Sequence, residues 1–228
     1  MAILNFQKPD KIILQKATDF EAQFEFRPLE PGYGVTIGNA LRRVLLNSLE
    51  GYAIVGIRIE GVDHEFATMK GITEDVLEII LNLKQVRFKK KVEHEVGQEK
   101  VSLSIKNKTE LTAAMIGDAT QSFEIMNPEL MICTLDTSAK LDIELTIAKG
   151  RGYVSAEDNK LKEAPLGYIP TDSIFTPIKN VKYAIENTRV EQRTDFEKLI
   201  MEVSTDGTIH PEEAVKQASR ILIQHLMI

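Results

Sequence analysis

Leu29-Glu30-Pro31-Gly32-Tyr33-Gly34-Val35-Thr36-Ile37-Gly38-Asn39-Ala40-Leu41-Arg42-Arg43-Val44-Leu45-Leu46 is the stretch in which the periodicity of this chain changes. Before it, Phe20-Glu21-Ala22-Gln23-Phe24-Glu25-Phe26 sets aromatic or apolar side chains on one face at period two, as a half-buried strand requires. Pro28, Pro31, Gly32 and Gly34 break that pattern. From about Thr36 to Leu49 the period is helical, and Ile37, Leu41, Val44, Leu45 and Leu49 form a stripe that must face a core. At about 100° per residue, Asn39, Arg42, Arg43 and Leu46 fall on the opposite face. Two arginines flanking an exposed leucine fit an interface hot spot, in which planar donor forks surround an apolar contact. They fit a solvated charged face equally well.

The glycines of this stretch do not make a nucleotide site. Their spacing is G-x-G-x-x-x-G, not G-x-G-x-x-G, so they serve a sharp turn and a close backbone approach. Gly150-Arg151-Gly152-Tyr153 lacks the Lys and Ser/Thr of a phosphate loop and reads as a strand-ending turn. His64-Glu65 has no second His at Thr68, and the 4 histidines are scattered, which excludes a zinc site of known spacing. Asp-x-Asp pairs that would gather carboxylates round magnesium are absent. No catalytic, cofactor or metal residue is expected. Asn107-Lys108-Thr109 matches a glycosylation sequon but has no secretory context.

Composition agrees with an intracellular globular chain. With 228 residues it can bury a full core as one large or two modest domains without staples. Its single cysteine, Cys133, lies in the apolar run Leu130-Met131-Ile132-Cys133 and reads as a small buried hydrophobe. Met1-Ala2-Ile3-Leu4-Asn5-Phe6 carries no basic region leading into an apolar core, so a cytoplasmic location is expected. A net charge of −6 argues against a dedicated nucleic-acid binder. Lys89-Lys90-Lys91 is the one basic cluster, and it suits a soluble sheet edge.

Strand periodicity dominates the middle of the chain. Val55, Ile57 and Ile59, then Val101, Leu103 and Ile105, then Leu141, Ile143, Leu145 and Ile147 alternate with polar residues. One short helix interrupts them, with Thr73 as N-cap, Glu74 and Asp75 at its positive end, and Val76, Leu77, Ile80, Leu81 and Leu83 on its buried side. Val154 to Pro165 reads as a charged surface loop. Strands resume around Val181 to Val190 and Leu199 to Val203, followed by a turn at Asp206-Gly207. The closing helix starts with Pro211 at its first position, and Glu212 and Glu213 oppose the dipole. Val215, Ala218, Ile221, Leu222, Ile223, Leu226 and Met227 then cover more than one stripe, so a second surface must cover the surplus.

The quoted stretch resembles the signature of the bacterial RNA polymerase alpha subunit. Gly61-Val62-Asp63-His64-Glu65-Phe66, Glu74-Asp75-Val76-Leu77-Glu78-Ile79-Ile80-Leu81-Asn82-Leu83-Lys84, Gly150-Arg151-Gly152-Tyr153 and Arg189-Val190-Glu191-Gln192-Arg193-Thr194-Asp195-Phe196-Glu197-Lys198-Leu199 are similar to the same family in the same order. The resemblance implies an α+β fold with a discontinuous dimerisation domain, 1–52 plus 179–228, carrying an inserted mostly-β domain, 53–178. It implies a homodimer through Val215, Ala218, Ile221, Leu222 and Leu226. It also implies that the beta and beta prime subunits are held by Asn39, Arg42, Arg43, Leu46 and Lys84, with no catalytic centre in this chain. His210 departs from the acidic or small helix cap that is usual there. The family's linker and small DNA-contacting carboxy-terminal domain would follow Ile228, so promoter binding is not expected of these residues.

Two other classes make different demands on the sequence. A free-standing enzyme needs convergent titratable groups or a phosphate loop. A direct nucleic-acid binder needs a dense basic stripe with interleaved aromatics. The sequence offers neither.

Overall fold

A computed structural model describes residues 9, 11–161, 163–190 and 193–227, without the side chains of Lys11 and Lys16. Met1–Phe6, Glu191 and Gln192, on which parts of the sequence reading fell, lie outside the described residues. The chain divides into two compact units, Met1–Leu49 with Thr176–Ile228, and Glu50–Phe175. These limits fall slightly before those expected at 52/53 and 178/179. The reason is local: a strand starts at Glu50, and Phe175 packs with Ala53 and Val55.

The first unit opens with β1 (Lys11–Ala17), β2 (Glu21–Leu29) and α1 (Tyr33–Ser48). The second carries β3 (Glu50–Ile59), α2 (Val76–Leu83), β4 (Phe88–Lys90), β5 (Gln98–Lys106), β6 (Glu110–Thr112), α3 (Ala113–Ala119), β7 (Phe123–Ile125), β8 (Met131–Thr134), β9 (Lys140–Arg151), β10 (Tyr153–Val154), β11 (Tyr168–Pro170) and β12 (Ser173–Ile174). β13 (Ile178–Val190), β14 (Arg193–Thr205) and α4 (Pro211–Leu226) then complete the first unit. No helix among the described residues is long and apolar enough to cross a membrane.

In the first unit the antiparallel sheet runs β1-β2-β14-β13, with Phe24 opposite Met201 and Met201 opposite Tyr183. Alternation puts Ala22, Phe24, Phe26, Leu199, Met201 and Val203 into one core with Leu41 and Leu45 of α1, Leu49 at its C-cap, and Ala214, Val215 and Ala218 of α4. Each large side chain closed there contributes about 1.5–3 kcal/mol. α1 begins before Thr36 and lies flush on the hairpin below it. A Cβ at Gly38 would fall 2.9 Å from the Tyr183 ring and 3.0 Å from Leu199. Gly34 and Gly38 therefore serve close approach, whereas Gly32, at φ +86° with nothing within 4 Å of a Cβ, serves the turn.

In the second unit the main antiparallel sheet is β11-β3-β9-β5. Val101, Leu103 and Ile105 of β5 and Leu141, Ile143, Leu145 and Ile147 of β9 enter its core as their alternation predicts. β3 departs from the expected pattern, because Val55 is an extra residue between the pairs Ile54 with Ile147 and Gly56 with Thr146. Ile54, Ile57 and Ile59 consequently join the main core, while Val55 joins Phe175. The bulge is held by Thr171 and Ser173, whose hydroxyls donate to the Ile54 carbonyl at 3.1 and 2.6 Å.

α2 starts two residues later than expected. Asp75 is its N-cap, accepting from Glu78 N–H at 2.7 Å, and the Glu78 carboxylate accepts in return from Asp75 N–H at 3.3 Å. Glu74 is used elsewhere, accepting from the Thr134 N–H at 2.7 Å. Val76, Ile79, Ile80 and Leu83 are buried, whereas Leu77 and Leu81 are exposed. The structure also contains β1 and α3, which periodicity did not reveal.

Candidate functional site

α1 carries most of the residues expected to meet a partner. Its inward stripe and glycine face fix its rotation, so Asn39 and Arg43, one turn apart, stand exposed on the other side. Arg43 makes no hydrogen bond or ion pair among the described residues. Its fork of donors is therefore free for an external carboxylate or carbonyl. Arg42 is exposed too, but its Nε donates to the Val181 carbonyl at 3.1 Å, which ties part of the guanidinium to β13. Leu46, expected to be exposed between the arginines, is half-buried and packs against the first unit's core. The outward face is thus narrower and more polar than the helical projection suggested.

Lys84 belongs to the second unit, at the C-cap of α2. Its ammonium lies 2.5 Å from the Asp172 carboxylate, and its side chain is only 19% exposed. Any partner meets this lysine as half of an ion pair.

On α4 the five residues expected at a dimer contact separate by depth. Val215 and Ala218 are buried in this chain's own core, and Ile221 and Leu222 are half-buried against it. The first turns of α4 thus close the first unit's own sheet. The apolar surface left open lies at the helix end, where Ile223, Leu226 and Met227 are 54%, 78% and 76% exposed. His210 does act as N-cap, its ring nitrogen accepting from Glu212 N–H at 3.4 Å, a long bond.

Glu197 escaped the sequence reading. Its two carboxylate oxygens accept from the N–H groups of Gly32 and Gly34, each at 2.8 Å. A capping partner from β14 could have been suspected only from what α1 lacks. Gly32 at its N-cap has no side chain, and its first turn contains no acidic residue.

Ion pairs elsewhere are distributed, not convergent. In the second unit Lys149 lies 2.8 Å from Glu50 and 2.9 Å from Glu95, and Arg151 lies 2.6 Å from Glu50. These hydrogen bonds, that from Lys149 foremost, hold the Glu50 carboxyl below its ordinary pKa. Lys140 pairs with Asp142 and Glu60, and Asp142 is lowered chiefly by its bond to Lys140. Cys133 is fully buried, and desolvation, reinforced by Glu74, pushes its thiol up to about 12, so it is not a nucleophile at neutral pH. Among the described residues no three His, Cys, Asp or Glu side chains gather as a metal site would require.

Residues 57–176 match the family described as RNA polymerase Rpb3/RpoA insert domain, a span lying almost wholly in the second unit. Over its full length the chain is 60% identical to the DNA-directed RNA polymerase subunit alpha of Flavobacterium psychrophilum, covering 69% of that protein. Identity is 61% to the Cytophaga hutchinsonii subunit and 59% to that of Bacteroides thetaiotaomicron, with the same coverage. These alignments span both units, and the chain belongs to the family of bacterial DNA-directed RNA polymerase alpha subunits.

Proposed function

We propose that this chain is a non-catalytic assembly scaffold of a bacterial RNA polymerase, which homodimerises through the open end of α4 and recruits the beta and beta prime subunits through the outward face of α1. The observation carrying the reading is the division of labour on the two helices. Each gives one side to its own core and keeps another open, polar on α1 at Asn39 and Arg43 and apolar on α4 at Leu226 and Met227. An apolar patch suits a permanent two-fold contact, and an unengaged arginine suits an anchor for a second partner. Lys84, with Asp172, is a further contact in this proposal. The net charge of −6 favours protein partners over promoter DNA for these residues. A cytoplasmic location belongs to the same proposal.

The test is Arg43→Ala, followed by pull-down with the beta subunit. Truncating an anchor weakens assembly by about 2–4 kcal/mol, while loss of an exposed side chain changes folding stability by only roughly 0.5 kcal/mol. Undiminished retention of beta would remove Arg43 from the interface. Loss of the fold together with the pull-down would make it a structural residue.

A further inference from the structure

We propose that Glu197 is the positioning residue of the α1 face, holding the helix so that Arg43 and Asn39 reach the large subunit in one fixed orientation. This inference rests on the function proposed above. A helix leaves its first N–H groups without internal partners, and α1 has neither a capping side chain nor a first-turn acid to serve them. Tyr33 N–H finds the Glu30 carbonyl at 3.0 Å, and the N–H groups on either side of it, Gly32 and Gly34, both go to Glu197. The carboxylate therefore spans the start of the helix with one oxygen on each glycine, and its charge opposes the positive end of the dipole.

The fit depends on glycine at both contacts. Gly32 has φ +86°, a conformation that other residues adopt only with strain. A Cβ at Gly34 would lie 2.7 Å from Glu197 Oε2, so a side chain there would push the carboxylate away. Further along α1, Arg42 Nε is bound to the Val181 carbonyl. Two ties to the β13–β14 hairpin, about two and a half turns apart, oppose both rotation of the helix about its axis and sliding along it. A slip of one residue would carry Arg43 about 100° around the helix and roughly 1.5 Å along it. Preorganising an anchor in this way raises affinity without adding a contact.

Glu197 is half-buried with both oxygens engaged, so it acts through α1 instead of touching the partner. The test uses the whole chain as Glu197→Ala, Glu197→Gln, Arg43→Ala and the Glu197→Ala/Arg43→Ala double variant, each titrated with the Flavobacterium psychrophilum beta subunit. Hydrogen exchange across residues 30–36 is followed in parallel. Glu197→Ala is expected to lose exchange protection there, remain dimeric and bind beta about tenfold more weakly. Glu197→Gln, which keeps one acceptor oxygen, should lose about threefold. The double variant should lose less than the two single losses combined, because both changes weaken the contact that Arg43 makes. Unchanged affinity in Glu197→Ala despite lost protection overturns the proposal, and so does an additive loss in the double variant. Should Glu197→Ala fail to fold, the Gln variant decides by the same criteria. Normal binding by Arg43→Ala sinks the underlying reading, and this inference with it.

Discussion

The backbone at Gly51 approaches the carbonyl of Phe175 so closely that a Cβ added to the glycine would lie 1.9 Å from that oxygen. Across the β3–β9 ladder Gly51 pairs with Gly150, and a Cβ there would lie 2.6 Å from the Phe175 ring. Two facing glycines thus make the seat in which the buried Phe175 rests. Gly51→Ala should lower stability by about 2–3 kcal/mol, because the obstacle is backbone. Gly150→Ala should cost less, since a ring can pivot. Urea unfolding of the two variants checks the order, and a neutral Gly51→Ala would contradict the close approach.

The cap of α2 separates two readings of its sequence. Asp75→Ala should cost about 1 kcal/mol, the usual loss when a capping carboxylate is removed. Thr73→Ala should stay within roughly 0.5 kcal/mol, because the Thr73 N–H to the Thr134 carbonyl, at 3.1 Å, survives the change. Equal costs in thermal melts would return the cap to Thr73.

Acid should weaken the second unit partly through Glu50. Lys149 and Arg151 hold its carboxyl below the ordinary value in the folded chain. Its contribution is therefore present above the unfolded carboxylate pKa and is lost as pH falls through the depressed folded value. With the Glu50 side chain 43% exposed, that contribution is at most about 1 kcal/mol, and salt screens it. Melting wild type beside Glu50→Gln should give a gap at pH 7 that fades below about pH 4.3. A gap constant down to acid pH would assign the effect to packing.

What was legible in the sequence is what repeats locally. The stripe of Leu41 and Leu45 on α1, continued by Leu49 at its C-cap, and the β9 alternation from Leu141 to Ile147 are periodic, so burial follows from spacing. Val55 shows where that logic stops, because a one-residue bulge leaves no mark in the alternation and yet turns the side chain to another cluster. α2 is too short for its stripe to be placed without its cap, and moving the start from Thr73 to Asp75 accompanies the exchange of Leu77 and Leu81 for Ile79 in the core. Glu197 was illegible for a different reason: its bond to Gly32 spans 165 residues, and only the folded hairpin brings the two together. The α1 face was legible in outline as exposed Asn39 and Arg43, but not in the return of Arg42 to Val181.

The two ends of α4 give the last prediction, because one helix holds both a core residue and an open apolar one. Val215 is buried within the first unit, so Val215→Glu places an uncompensated carboxylate in a dry core and should prevent that unit from folding. Leu226 and Met227 lie open, so Leu226→Glu with Met227→Glu removes no intrachain burial of consequence. That double variant should keep native circular dichroism while the particle mass falls from dimer to monomer. A stable contact between two folded chains buries on the order of 1,600 Å², and charges set into its apolar centre are not tolerated. Stability would then become independent of protein concentration, as expected once folding is uncoupled from association. Light scattering and melts at two concentrations measure both effects. A double variant that remains dimeric would move the contact off the end of α4, whereas one that unfolds would show that the end of the helix serves the chain's own core.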